Sequence, residues 1–182
     1  MSLPEYLRKM GGTTRGSPPR VSVSEIAWSW VGGFIGIAAA GLASQAIFAG
    51  TDLTLMIGSL GASAVLLFGA PRSPLAQPRN VLGGHVLSAL IGVACWKLLH
   101  PYPWLAGAVA VATAIAVMHA TRTLHPPGGA TALIAVIGSR EVHELGFLYV
   151  LVPCTAGPLV LLAVALVVNN IPASRRYPET WF

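Results

Sequence analysis

Trp28 to Phe48 is a run of 21 residues without one charged side chain. As a helix it rises about 31 Å, enough to cross the ~30 Å hydrocarbon core of a bilayer. Trp28 and Trp30 at its start suit an interfacial aromatic belt. Gly32, Gly33, Gly36 and Gly41 give it a small-residue face that another helix can approach closely, and such a face points to a dimer or trimer.

Five further apolar runs follow. Leu53 to Ala70 comes after a short loop holding Asp52, contains Gly58-Ser59-Leu60-Gly61-Ala62-Ser63, and stops at Pro71. The loop over 72–80 is basic and punctuated by proline. Val81 to Leu99 carries Gly83, Gly84 and His85 near its start and Lys97 near its end. His100-Pro101-Tyr102-Pro103 breaks the chain before Trp104 to Ala120. The fifth run, Gly128 to Ser139, is short. A loop at Arg140–Glu144 separates it from Leu145 to Val168, which Pro153 and Pro158 are expected to break.

The expected fold is therefore an all-α polytopic membrane protein of six helices. Residues 1–24 form a tail with an amphipathic turn at Leu3–Met10 and no apolar stretch of a cleavable signal. Residues 25–170 form the membrane domain and 171–182 a second tail. Only 9% of residues are charged, against about 25% in soluble domains. A net charge of +5 raises nucleic acid as a partner, but the basic residues lie in loops between apolar runs and read as topology signals instead. With six crossings, Arg8, Lys9, Arg15, Arg20, Arg72, Arg79, Arg122, Arg175 and Arg176 fall on one side and only Lys97 and Arg140 on the other. That bias puts both termini in the cytoplasm, and the short tail favours a bacterial inner membrane. Cys95 and Cys154 sit in apolar runs and read as buried small hydrophobes.

An internal repeat emerges at an offset of 68 residues. Gly61-Ala62-Ser63-Ala64-Val65-Leu66 matches Gly129-Ala130-Thr131-Ala132-Leu133-Ile134, Arg72 matches Arg140, and Trp28 matches Trp96. Halves of three crossings each must insert in opposite senses, which is the 3+3 inverted repeat common in transporters. The second and fifth segments then correspond, and Gly-interrupted segments at matching positions are the best sequence pointer to a binding site. Their helix N-termini, at Ser59, Gly61 and Ser63 and at Gly128, Gly129 and Thr131, are expected to face a shared cavity. There their free N–H groups and dipoles would hold an anion.

His125-Pro126-Pro127-Gly128-Gly129-Ala130-Thr131-Ala132-Leu133 resembles the signature of the HPP family of small integral membrane proteins. Gly58–Phe68, the loop Ser73–Asn80 and Gly84-His85 also resemble that family's pattern, so the likeness runs over residues 58–169. Plant and cyanobacterial members are regarded as nitrite transporters, so the resemblance implies transport of a small anion such as nitrite. Members are often described with four spanning helices, whereas the apolar runs here number six.

Each candidate residue fits a functional and a plain reading. His125 suits a proton-linked gate or an anion ligand, and equally a loop histidine capping the helix that starts at Pro126. His85 is an ionisable group inside a membrane helix, hence a functional candidate, though close enough to the interface to snorkel. Arg122, Arg79 and Asn80 suit an inner vestibule or contacts to lipid headgroups. Ser59, Ser63 and Thr131 can donate to a substrate or bond back to their own helices. His119, His125, His143, Glu141 and Glu144 give no closed metal-ligand set, so no metal or other cofactor is expected. Without a nucleophile or acid–base dyad at membrane depth, an enzyme is not expected either. An anion transporter or channel leads; a non-transporting module, such as an assembly factor or sensor partner, is the alternative.

Overall fold

The computed structural model describes residues 1–12, 16, 19–49 and 57–182. Arg15, Asp52 and positions 53–56 of the second expected segment lie outside them. Every regular element among the described residues is helical.

Helix α1 (Leu3–Met10) is exposed and opens with a Ser2–Glu5 capping box. Helix α2 (Val23–Phe48) begins five residues before the first apolar run, because the Ser22 hydroxyl accepts from the Glu25 N–H and starts the helix there. Helix α3 (Gly58–Ala64) widens directly into a π-helical turn, Val65–Gly69. After a short turn at Pro74–Ala76 come α4 (Pro78–Leu99), α5 (Pro103–Ala120) and α6 (Pro126–Ile137). All three of these helices start on a proline, whose missing N–H would have had no helical partner there. Where a loop was expected, Arg140–Leu145 forms α7. The last run divides into α8 (Leu148–Leu151) and α9 (Ala156–Val168). It breaks at Pro153 but not at Pro158, which sits harmlessly in the first turn of α9.

Four stretches are long and apolar enough to cross a membrane: Val23–Phe48, Pro78–Leu99, Pro103–Ala120 and Leu148–Val168. Two more, Gly58–Gly69 and Pro126–Ile137, are apolar but rise only about 18 Å each. They begin and end at the same offset of 68 residues. Helix α4 packs against α5 and α6, and α9 against α2 and the α3–π segment. The protein's outside is apolar, with Trp30, Phe34, Ile115, Leu159 and Val167 exposed, as befits a lipid-facing surface.

The glycine face of α2 is used within the chain. A Cβ at Gly32 would stand 2.4 Å from Phe68 Cδ1, and one at Gly36 2.7 Å from Phe68 Cε2, so the Phe68 ring fills that groove. Gly33 has nothing within 4 Å. The face expected to mark an oligomer is thus half consumed by an internal contact.

The C-terminal stretch folds back onto one end of the bundle. Arg175 spends all five of its N–H donors there. Nε donates to Glu25 Oε2, Nη1 to Phe68 O and Asn169 Oδ1, and Nη2 to Glu25 O and Ser29 Oγ, at 2.9–3.2 Å. Asn169 donates to Leu67 O, Tyr177 O–H to Ala76 O, and Gln77 Oε1 accepts from the Glu179 and Thr180 N–H groups. The start of α2, the end of the π turn, the start of α4 and the end of α9 therefore share one end. Trp96 stacks on His143 at 3.8 Å, joining the end of α4 to α7 at the opposite end.

Candidate functional site

Helix α6 is positioned by what precedes it. Arg122 takes φ 57, the left-handed conformation that ends α5, and Thr123 N then reaches Met118 O at 2.9 Å. Arg79 Nη2 donates to Thr121 O and Asn80 Nδ2 to Leu124 O, both at 2.9 Å, so these two side chains pin the loop to α4. Gly84 lets the loop lie flat on that helix: a Cβ there would stand 2.5 Å from His125 Cβ. Because a side chain in the left-handed region costs about 1–2 kcal/mol, Arg122→Gly is expected to keep or raise the melting temperature. Thermal unfolding in detergent checks this.

His125 is consequently extended and buried at the N-cap of α6, but its side chain does not cap that helix. Instead Nδ1 meets Leu75 O at 2.8 Å and Nε2 meets Ser63 Oγ at 2.8 Å. Ser63 Oγ also meets His85 Nε2 at 2.8 Å, and His85 Nδ1 meets Thr131 Oγ1 at 2.7 Å. Thr131 Oγ1 has a second, longer acceptor in Pro127 O at 3.3 Å, and Tyr149 O–H donates to Thr131 O at 3.1 Å. The two imidazole rings are 5.1 Å apart. His85, His125, Ser63 and Thr131 are sealed from solvent.

The partners assign the tautomers. A carbonyl can only accept, so His125 carries its proton on Nδ1 and offers a lone pair on Nε2. Ser63 O–H fills that lone pair, His85 Nε2–H donates to Ser63, and Thr131 O–H donates to His85 Nδ1. In this neutral arrangement every donor and acceptor of the chain is used.

Ser59 lies one turn before Ser63 on the same face of α3, fully buried, and among the described residues its hydroxyl has no partner. Ser88 lies one turn after His85 and donates weakly to Met118 Sδ at 3.7 Å.

The structure thus brings together Ser59, Ser63, His85, His125 and Thr131. Gly128 adjoins them through its packing: a Cβ there would meet Ser88 Oγ at 2.7 Å and Gly84 O at 2.8 Å. Gly61 is exposed with nothing within 4 Å, and Gly129 faces Val111, so neither joins the cluster. Arg122 and Arg79 stay exposed outside it.

The two helix N-termini do not face each other across a cavity. Ser63 is beside His125, while Gly58 is nearest Ile134, so α3 and α6 lie antiparallel and overlap along their lengths. What they share is side chains at mid-length. Leu75 O and Tyr149 were not foreseen; a backbone acceptor leaves no trace in a sequence, and a lone tyrosine within an apolar run does not reveal its distant partner. Among the described residues no group of three His, Cys, Asp or Glu is placed to hold a metal.

The family model for the HPP transmembrane region matches residues 18–178, nearly the whole chain. The protein belongs to the HPP family. It is an integral membrane protein, as its apolar helices require. Two transmembrane proteins of Dictyostelium discoideum are similar to it. One is 44% identical over 98% of this chain and 58% of its own length. The other is 42% identical over 100% of this chain and 65% of its own length. The HPP chain therefore spans about three-fifths of the curated relatives it matches, and both are eukaryotic, which lends nothing to the bacterial membrane expected from its tail. No solved structure matches it.

Proposed function

We propose that this HPP protein carries a small inorganic anion, nitrite foremost, along the seam between α3 and α6. The observation that carries the reading is the buried Ser59 hydroxyl, a donor with no acceptor among the described residues, beside a chain of imidazoles and hydroxyls. A buried donor left unpaired costs about 1–3 kcal/mol, and an anion's oxygen is the acceptor that relieves it. Among the described residues no carboxylate hydrogen-bonds to the cluster, whereas a cation pathway would supply one.

Six crossings in two inverted halves, with both termini cytoplasmic, belong to this reading. The matched limits of Gly58–Gly69 and Pro126–Ile137 support it, and so does the exchange by which the third helix of each half packs on the first two of the other. At that offset Ser63 corresponds to Thr131, so His85 is held between two equivalent hydroxyls.

Proteoliposomes of the wild type are expected to take up nitrite above protein-free vesicles. Ser59→Ala should weaken apparent anion affinity about tenfold, for a lost hydrogen bond of 1–2 kcal/mol, while leaving the melting temperature equal or higher. A merely structural serine would lower both or neither. Absence of uptake of nitrite, nitrate and formate alike overturns the proposal. The extra length of the relatives favours a second reading, a membrane module that docks a partner. On that reading Thr131→Val changes stability alone.

A further inference from the structure

We infer that the buried chain Thr131–His85–Ser63–His125 accepts one proton and passes it between its two imidazoles, so that the anion of the preceding section crosses together with a proton. The claim of coupling rests on that reading; the proton chemistry rests on the hydrogen-bond geometry alone.

In the uncharged chain every hydrogen points one way, from Thr131 O–H through His85 and Ser63 to His125 and out to Leu75 O. Let the transport cycle part the seam on one side, so that one proton reaches His85 Nδ1 from water and bonds to it. Thr131 then becomes the acceptor of that N–H, and its own hydrogen turns to Pro127 O, which stands 3.3 Å away. His85, now an imidazolium, donates through both nitrogens. Next its Nε2 hydrogen passes to Ser63 Oγ while the Ser63 hydrogen passes to His125 Nε2. The positive charge has moved one ring, 5.1 Å between centroids, and no atom heavier than hydrogen need travel. Both ends remain satisfied: Ser63 O–H now donates to His85 Nε2, and His125 donates to Ser63 and to Leu75 O. Release retraces the same moves: the hydrogens pass back from His125 to Ser63 and from Ser63 to His85, His85 Nδ1 gives its proton to water once the seam parts on the far side, and Thr131 O–H turns back to that nitrogen. The second acceptor of Thr131 is what allows the reversed direction.

The chain holds one such proton and no more. With both rings charged, Ser63 Oγ would face two N–H donors and its hydrogen would have no acceptor. Among the described residues the groups around the pair add no competing charge. Helix α3 contributes Ser59 and Ser63, and the 74–76 turn and α6 contribute no acid or base. Tyr149 of α8 donates its hydroxyl to Thr131 O, and Cys154 lies beyond it. On α5 His119 is exposed, as are Arg79 of α4 and Arg122 of the loop. A single buried positive charge is itself an anion attractor, so proton and anion favour each other's binding.

Two measurements test this. In nanodiscs with 15N-labelled histidine, NMR should show Nδ1–H on His125 and Nε2–H on His85 at high pH. On acidification a single proton should be shared by the pair. Other tautomers, or two independent protonations, overturn the relay whatever the protein transports. In proteoliposomes clamped at zero potential, an acid-outside step of one pH unit should accelerate nitrite uptake several-fold over protein-free vesicles, with about one proton entering per anion. Ser63→Ala should abolish that acceleration, and Ser63→Thr, which keeps the hydroxyl, should restore it. Nitrite uptake indifferent to the pH gradient overturns coupling while leaving anion transport standing. A normal tautomer pattern without any uptake instead sinks the transport reading.

Discussion

Arg175→Ala is expected to lower the melting temperature by about 6–20 °C. The guanidinium is buried, with its side chain 2% exposed and Nη2 only 2.8 Å from Glu25 Oε2. Removing one partner of a buried charge pair costs about 3–5 kcal/mol, because the other charge and its neighbours lose their compensation. Here the loss also takes a donor from Asn169 Oδ1, Phe68 O, Ser29 Oγ and Glu25 O, of which Glu25 O keeps the Ser29 hydroxyl. For a chain of 150–250 residues each kcal/mol is worth about 2–4 °C. Arg175→Lys should recover little, since a point ammonium cannot reproduce a planar fork of five donors. Exposed Arg176, mutated to Ala, should leave the melting temperature unchanged within a degree or so. Thermal unfolding of the three variants in one detergent is the measurement, and a wild-type melting curve for Arg175→Ala would refute the anchor.

Arg175 also shows where sequence reading ran short. Counted among nine basic residues it served as a topology charge, but its partners Glu25 and Asn169 lie 150 and 6 positions away. Long-range pairing of that kind leaves no periodic signal. The apolar runs, by contrast, were legible almost to the residue: α5 begins one position before its expected start and ends where expected. Errors gathered at helix starts. Ser22 and Pro78 begin helices ahead of the first apolar residue because caps and prolines, not hydrophobicity, set that end.

The candidate site was half visible. Ser63, His85, His125 and Thr131 stood out as polar groups inside apolar runs, and Ser59 lay in the same short stretch. What the sequence could not supply was their mutual arrangement. The helix N-termini were expected to converge, whereas antiparallel overlap of α3 and α6 puts the hydroxyls and imidazoles in a line. The line also needs α6 packed closely on α4, which carries His85, and that packing is itself open to test.

Gly92→Val should abolish the folded protein, and Gly92→Ala should yield a destabilised one that, on the transport reading, also loses anion uptake. A Cβ at Gly92 would stand 2.5 Å from Ala132 O and 2.9 Å from Ala132 Cα, so α4 and α6 meet there backbone to backbone. Backbone atoms cannot turn aside as a side chain can. An ordinary contact needs about 1 Å more room, and overpacking of this kind costs about 1–3 kcal/mol even for small additions. Opening the seam by that amount also stretches the His85–Thr131 bond, which joins the same two helices two turns away and now measures 2.7 Å. At about 3.7 Å it no longer counts as a hydrogen bond. Gly33→Ala supplies the contrast, since nothing lies within 4 Å of a Cβ at that position. It should match the wild type in melting temperature and, on the transport reading, in anion uptake. If Gly92→Ala behaved the same way, α4 and α6 would not be locked together, and the line of hydroxyls and imidazoles would lose the contact that holds it straight.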